Sequence, residues 1–235
     1  MLNENSGGVA AGKGDLRRMY ARKLSAIILL VLLAFLFACS PAPAPKESAE
    51  AIPPPVEEPK PEPTPATYQA SFETTKGNFV IEVTREWAPL AADRFYALLK
   101  DDYYSGCPLY RVRPGFVVQW GISNSPRKTN KWNQEYIEDE PRKMSNTRGT
   151  VTFAASGKDS RTMQVFVNMG NNAPLDKQGF VPFGKVVSGM DVLAKLTSFG
   201  EKVNQSQLMR EGGMYVDMFF PKMDRIKKAS LVVAK

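Results

Sequence analysis

The chain has 235 residues, a formal net charge of +7, two cysteines and no histidine. Without histidine it cannot form a Ser-His-Asp or Cys-His catalytic set, a histidine-ligated metal site or an imidazole proton shuttle. Two cysteines allow at most one disulfide and cannot supply a four-thiolate metal site, so any chemistry must use carboxylates, Lys, Arg, Tyr, hydroxyls or shape.

Charge and proline divide the sequence into three parts. Residues 1–40 have a net charge of +3 and residues 41–67 have −3, so these two parts cancel. Residues 68–235 therefore have a net charge of +7, equal to that of the whole chain. Ten of the 18 prolines lie between Pro41 and Pro65. We predict a signal peptide over residues 1–38, a linker over residues 39–67 and one folded domain over residues 68–235.

The first part contains fourteen residues, 24–37, with one hydroxyl and no charge. Since a transmembrane helix needs about 20 apolar residues, this run is short for a permanent span and typical of a signal-peptide core. It ends at Leu36-Phe37-Ala38-Cys39, which resembles the bacterial lipobox, where a cysteine is lipidated and becomes the mature N-terminus. The alternative is a simple signal anchor in which Cys39 is incidental. Met19 begins a more ordinary signal peptide and is an alternative start.

A lipidated Cys39 implies a cell-envelope location, anchored outside the cytoplasm. Ser40 after it resembles the signal for the outer membrane if the cell is Gram-negative. Residues 41–65 are rich in Pro, Ala and Glu and have little to bury, so we expect a disordered linker biased to polyproline II. At about 3.1 Å per residue it would reach on the order of 80 Å from a membrane. The alternative interpretation of residues 41–65 is that this Pro-rich stretch is a ligand that binds an aromatic groove.

From Tyr68 onward the pattern changes to short strands with turns. Residues 69–75 and 78–84 predict a hairpin around Lys76-Gly77. Further strands are predicted over residues 109–113, 116–120, 150–154, 163–169 and 225–233, and helices over residues 89–99 and 190–196. About eight short strands with two helices favour a mainly β protein, an antiparallel barrel capped at its ends, over a parallel α/β sheet. Cys107 lies among apolar and turn residues and is expected to be buried.

Three longer motifs carry a resemblance to a known family. Residues 109–121 read LYRVRPGFVVQWG, residues 149–169 read GTVTFAASGKDSRTMQVFVNM, and residues 174–186 read PLDKQGFVPFGKV. In order and spacing they are similar to the cyclophilin family of peptidyl-prolyl cis–trans isomerases, in its bacterial single-domain form. The similarity runs from about Thr74 to the C-terminus. It implies a closed eight-stranded antiparallel β-barrel, packed inside with side chains, capped by two α-helices and bearing a groove on its outer surface.

The resemblance also implies site residues. Arg111 matches the catalytic arginine, and Gln119 could orient it. Pro174 stands where a tryptophan helps to hold cyclosporin and Phe180 lies near a groove histidine of other members, so cyclosporin binding is expected to be weak. The implied substrate-binding positions are Phe116, Val117, Gln119, Ala154, Ala155, Gln164, Phe166, Leu175 and Phe180. Tyr110 alternates to the opposite face of its strand and is interpreted as packing.

The implied reaction suits a chain without histidine. Rotation about an X–Pro bond crosses a barrier of about 18–20 kcal/mol and takes roughly 10–100 s unaided. It makes no covalent bond to the enzyme and requires no proton transfer. When the amide twists, the lone pair returns to the prolyl nitrogen, and a guanidinium that donates to this nitrogen binds the twisted state more strongly than the planar states.

These expectations define the function and its alternatives. The leading hypothesis is an isomerase that assists the folding of exported proteins from a membrane-tethered position. Its expected partners are proline-containing polypeptides and, through the lipid anchor, a membrane; no cofactor, metal or nucleic acid is expected, and the chain is expected to be a monomer. The main alternative is a peptide-binding chaperone or scaffold of the cell envelope with little turnover.

Two charged features have weaker interpretations. The basic surplus would suit nucleic acid or anionic lipid, but its Lys and Arg are scattered and no base-stacking motif accompanies them, although residues 225–228 could lie against an anionic surface. The acidic run Glu138-Asp139-Glu140 is expected to be a solvated loop rather than a metal site.

Overall fold

The computed structural model describes residues 63–232. The predicted signal peptide, Cys39, the alternative start Met19 and most of the predicted linker lie outside these residues. Eight strands form one antiparallel sheet. They are β1 (Thr67–Thr74), β2 (Gly77–Thr84), β3 (Arg111–Arg113), β4 (Val117–Trp120), β5 (Thr150–Phe153), β6 (Val165–Asn168), β7 (Pro182–Ser188) and β8 (Ile226–Val232).

The sheet order is β3-β4-β6-β5-β7-β2-β1-β8, so β3 and β8 are the two edge strands of the curled sheet. Within residues 63–232 no ladder pairs these edges; an isolated bridge joins Pro108 to Arg225, and three backbone hydrogen bonds surround it. The prediction of a closed barrel is therefore wrong, and the sheet is an open half-barrel. Pro108 has no N–H to continue a ladder, and β3 is only three residues long.

Five α-helices flank the sheet in the described residues, where the pattern predicted two. The two predicted helices correspond to α1 (Pro89–Lys100) and α3 (Met190–Ala194). The other three are α2 (Pro126–Asn133), α4 (Gln205–Glu211) and α5 (Gly213–Phe219). They are short, and α2 is polar almost throughout, so none carries the long apolar periodicity that indicates a helix. Strand β7 was also not predicted individually, because Pro182 and Gly184 interrupt its pattern.

The concave side of the sheet encloses the main hydrophobic core, as expected. Phe72 and Phe79 stack with ring centroids 4.8 Å apart, and the edge of Trp120 lies against both, at 5.7 and 5.9 Å. Helix α1 covers this core with five buried residues, Ala91, Ala92, Phe95, Leu98 and Leu99. Cys107 is also fully buried, as predicted, and burial raises the pKa of its thiol.

A second, smaller core lies outside the curled sheet. Helices α4 and α5 contribute Leu208, Tyr215 and Val216, which pack with Tyr110 and Ile122. This cluster attaches residues 197–220 to the segments around β3 and β4. No helix within residues 63–232 is both long enough and apolar enough to cross a membrane.

The acidic run is not simply a solvated loop. The Glu140 side chain is 6% exposed, and its carboxylate accepts hydrogen bonds from the backbone N–H groups of Leu90 and Ala91, at 2.5 and 3.1 Å. It also accepts from Nη1 of the buried Arg161 at 2.9 Å. Ala88, the residue before α1, offers no capping side chain. Glu140 therefore satisfies the first turn of α1 from fifty residues away in sequence.

We predict that Glu140→Ala lowers the free energy of unfolding by about 3–5 kcal/mol, because it leaves the Arg161 charge buried without its closest carboxylate. Urea denaturation measures the change. The matched control is Asp139→Ala, whose carboxylate is 40% exposed and 3.9 Å from Arg161, and which is expected to cost less than about 1 kcal/mol. Equal losses in the two variants would contradict this assignment.

Candidate functional site

The register of three neighbouring strands builds one row of side chains across the outer face of the sheet. Arg111 on β3 lies directly opposite Gln119 on β4, which in turn lies opposite Phe166 on β6. Residues directly opposite each other in an antiparallel sheet project from the same face. Val117, two residues before Gln119, projects from this face as well.

An open cavity of about 340 Å³ lies over this row. It brings together nine of the ten predicted site residues and adds two that were not predicted, Glu201 and Gln205. The nine are Arg111, Phe116, Val117, Gln119, Ala154, Ala155, Phe166, Leu175 and Phe180. The tenth, Gln164, lines an adjoining cavity of about 420 Å³ that shares Gln119, Ala154, Ala155 and Gln205 with the first.

Aromatic rings form the apolar side of the first cavity. The rings of Phe166 and Phe180 meet edge to face with centroids 5.6 Å apart. Phe116 lies beneath two guanidinium groups, those of Arg111 at 5.9 Å and Arg113 at 5.1 Å from its ring centroid. The cavity therefore combines an apolar surface with a cation at one edge, an arrangement that suits a small apolar ring bearing polar backbone atoms.

Hydrogen bonds hold the loops that form the remaining wall of the first cavity, the wall that contains Leu175 and Phe180. The Asp176 carboxylate accepts from the Ser145 hydroxyl at 2.5 Å and from the backbone N–H of Asn146 at 2.9 Å. The Asn146 side-chain amide also donates to the carbonyl of Phe180 at 2.8 Å. Leu175, one residue before Asp176, is thereby fixed against the groove. Burial raises the pKa of Asp176, but these hydrogen bonds outweigh burial and hold it below its usual value.

A chain of hydrogen bonds orients the predicted catalytic arginine. Nη1 of Arg111 donates to Oε1 of Gln119 at 3.1 Å, and Nε2 of Gln119 donates to Oε1 of Gln164 at 3.1 Å. The hydroxyl of Tyr110 donates to the same oxygen of Gln164. Gln119 is 7% exposed and Tyr110 is 1% exposed, so little water competes for these contacts.

Tyr110 packs in the second core, as predicted, and its hydroxyl also joins this chain of hydrogen bonds. Burial raises the pKa of its hydroxyl well above the usual value, so the group remains a protonated donor throughout the physiological range. Its contact with Gln164 spans 54 positions of sequence, and no local motif marks it.

Glu201 reaches the cavity from the segment between α3 and α4, and Gln205 reaches it from the first position of α4. Both Glu201 carboxylate oxygens lie 3.3 Å from Nε of Arg111. Neither residue lies in one of the three longer motifs, and their position depends on the packing of the second core. Within residues 63–232 no three Cys, Asp or Glu side chains are grouped to hold a metal ion.

The fold defines the class of protein. A crystal structure of a cyclophilin-type peptidyl-prolyl cis–trans isomerase from Cryptosporidium parvum superimposes with a TM-score of 0.55 and 21% sequence identity, over 72% of this chain and 99% of that one. A structure of the same protein in the presence of the dipeptide Ala-Pro gives a TM-score of 0.54. The curled sheet is therefore cyclophilin-like.

Sequence comparisons identify the family. The sequence model of the cyclophilin type peptidyl-prolyl cis-trans isomerases matches residues 69–214. A peptidyl-prolyl cis-trans isomerase of Acinetobacter baylyi is 33% identical over 138 residues, 57% of this chain and 73% of the relative. Peptidyl-prolyl cis-trans isomerase A of Dickeya dadantii is 36% identical over 129 residues, 53% and 68% of the two chains. The chain belongs to the cyclophilin family and is a peptidyl-prolyl cis–trans isomerase.

We predict that Tyr110→Phe lowers kcat/KM for a prolyl peptide by about two- to tenfold, since Gln164 loses one of the hydrogen bonds that orient Gln119. A protease-coupled or NMR exchange assay measures this. Tyr103→Phe is the matched control, because Tyr103 is also buried and donates one hydrogen bond, to the Gly121 carbonyl at 2.9 Å, but does not line either cavity. It is expected to lose stability while keeping kcat/KM, and equal activity losses would refute the role of Tyr110.

Proposed function

We propose that this isomerase acts on X–Pro bonds in the first cavity, with Arg111 as its catalytic residue. The observation that carries the proposal is the placement of the Arg111 guanidinium at the edge of the aromatic pocket. Its Nη1 is held by Gln119 and its Nε by Glu201. Its Nη2 has no hydrogen-bond partner among residues 63–232, so this donor is available to a peptide bound in the cavity.

The chemistry follows from differential binding. The planar amide shares its nitrogen lone pair with the carbonyl, whereas the twisted amide returns the pair to nitrogen and makes it a better acceptor. A donor placed against that nitrogen stabilises the twisted state more than either planar isomer, and so lowers the barrier. Arginine suits the role because it is always protonated and its donors have a fixed planar geometry.

The pocket supplies the second requirement, which is to hold the prolyl ring while the preceding carbonyl rotates. Phe116, Phe166 and Leu175 present apolar surface for the pyrrolidine ring. Gln119 orients Arg111 and offers its amide to a substrate carbonyl. The backbone at Ala154 and Ala155 borders both cavities and would lie along the peptide chain.

We further propose that the chain assists the folding of exported proteins from a lipid anchor at the cell envelope, on the periplasmic side of the outer membrane if the cell is Gram-negative. The support comes from the signal-peptide pattern, the lipobox-like sequence ending at Cys39, and the Pro-rich linker. Uncatalysed prolyl isomerisation takes roughly 10–100 s and is slow enough to limit folding, so an isomerase outside the cytoplasm has a clear use there.

The second cavity favours an alternative, a peptide-binding chaperone or scaffold in which turnover is small. It lengthens the groove beyond the prolyl pocket and is lined largely by polar groups, including Gln164, Ser156 and Thr162. Binding alone does not require a guanidinium beside the prolyl nitrogen. Substitution of Arg111 therefore separates the two functions.

We expect Arg111→Ala to lower kcat/KM by roughly 10²–10³-fold, the usual effect of removing one transition-state donor. Acceleration of a proline-limited refolding reaction is the measurement. Arg113→Ala is the matched control, since Arg113 lies on the same strand and over the same ring but does not line the first cavity, and its loss is expected to be below about threefold. A fully active Arg111→Ala protein would exclude this role and favour a binding module.

Lipidation is tested by Cys39→Ser, which is expected to move the protein from the membrane to the soluble fraction. Intact-mass measurement of the wild-type protein should show an acylated N-terminal Cys39. Cys107→Ala is the control and should stay with the membrane, because the Cys107 side chain is fully buried and not available to an acyl transferase. An unmodified Cys39 in the wild-type protein would disprove the anchor.

A further inference from the structure

The segment between α3 and α4 brings a carboxylate into the proposed isomerase site. Glu201 lines the first cavity, with both carboxylate oxygens 3.3 Å from Nε of Arg111. Its Oε1 lies 3.4 Å from Nη1 of Arg113. Glu201 thus pairs with both of the guanidinium groups that lie over the Phe116 ring.

This placement is fixed by contacts on both sides of Glu201. The Ser198 hydroxyl donates to the carbonyl of Val112 on β3 at 2.6 Å, and Phe199 packs against Phe220 with ring centroids 5.3 Å apart. On the other side, the backbone N–H of Asn204 donates to the Tyr215 hydroxyl at 3.1 Å. These contacts hold the segment that carries Glu201 beside β3, while the Glu201 side chain itself stays largely exposed.

Glu201 changes the charge of the cavity. Among the described residues that line it, Arg111 and Glu201 are the only charged ones, so their formal charges cancel. The Glu201 side chain is 60% exposed, which leaves it accessible to a peptide lying in the groove. Without the carboxylate, Arg111 and the neighbouring Arg113 would present two uncompensated positive charges to the substrate.

We propose that Glu201 is a specificity-determining residue that disfavours acidic and favours basic side chains in the residues flanking the X–Pro pair. The inference rests on the proposed function, because it concerns substrates of the same groove. Beside Arg111 and Arg113, the negative charge of Glu201 weakens the attraction of the groove for Asp or Glu in the bound peptide and reduces its repulsion of Lys or Arg. Because Glu201 is largely solvated, the effect on relative kcat/KM is of the size found for exposed ion pairs, about two- to fivefold.

The test uses the full protein and three prolyl peptides that differ only in one flanking residue, Glu, Gln or Lys, placed before the X–Pro pair in one series and after it in another. The quantity compared is the ratio of kcat/KM for the Glu peptide to that for the Lys peptide. Glu201→Gln should raise this ratio by about two- to fivefold in at least one series. Glu201→Lys should shift it further in the same direction.

Two measurements separate charge selection from a structural role. If charge is responsible, the change in the Glu-to-Lys ratio should shrink in 1 M NaCl, where the Debye length falls to about 3 Å. If the substitution instead changes the geometry of Arg111, activity toward the Gln peptide should fall while the ratio stays the same. Glu86→Gln is the matched control: Glu86 is also an exposed carboxylate 3.3 Å from a cation, the Lys143 ammonium, but lies outside both cavities. It should leave the ratio unchanged.

The outcomes distinguish this inference from the proposed function. If wild-type protein isomerises the Gln peptide and Glu201→Gln leaves the ratio unchanged at low salt in both series, the inference is wrong and the isomerase assignment stands. If wild-type protein isomerises none of the peptides, the proposed function fails and takes the inference with it. A salt-sensitive rise in the ratio confined to the Glu201 variants supports the inference.

Discussion

The antiparallel register of β3, β4 and β6 is the constraint on which the site depends. It sets Arg111, Gln119 and Phe166 side by side in one row across the outer face of the sheet. A shift of one residue in any of these strands would turn its side chains toward the opposite face. That shift is opposed by the core, because Val118 and Val167, which alternate with the site residues, are buried on the inner face. The packing that stabilises the fold therefore also aligns the groove.

The second core gives this chain a feature that the sheet alone would not provide. Helices α4 and α5 pack outside β3 and β4, where they bury Tyr110. The segment before α4 carries Glu201 to the rim of the groove, and α4 begins there with Gln205. One cluster thus supports the arginine in two ways. The hydrogen-bond chain from Tyr110 through Gln164 to Gln119 orients the Arg111 guanidinium, and the Glu201 carboxylate adds a negative charge beside it.

The absence of histidine is compatible with this chemistry. Prolyl isomerisation needs a shaped apolar pocket and a fixed donor, but neither a nucleophile nor a proton shuttle. The buried Tyr110 hydroxyl keeps its proton because burial raises its pKa, so it stays a hydrogen-bond donor to Gln164.

Local signals in the sequence determined a large part of the structure. Alternation and turn residues predicted the β1–β2 hairpin and most of the other strands, and apolar spacing predicted α1 and α3. The motifs around Arg111, Gln164 and Leu175 identified the family and ten residues that lie in two adjoining cavities. Each of these features depends on residues that are contiguous in the sequence. The signal peptide, the anchor at Cys39 and the linker lie mostly outside the described residues and stay predictions.

The features that join distant parts of the chain became visible only in the folded structure. Pro108 leaves the sheet open where a closed barrel was expected, Glu140 caps a helix fifty residues earlier, and Glu201 meets an arginine ninety residues before it. The sequence determined which residues form strands and which motif carries the arginine, because periodicity and turn chemistry act over a few residues. The charge of the groove depends on how two cores pack against one sheet. Short-range sequence patterns do not predict that packing, because it joins residues that are far apart in the chain.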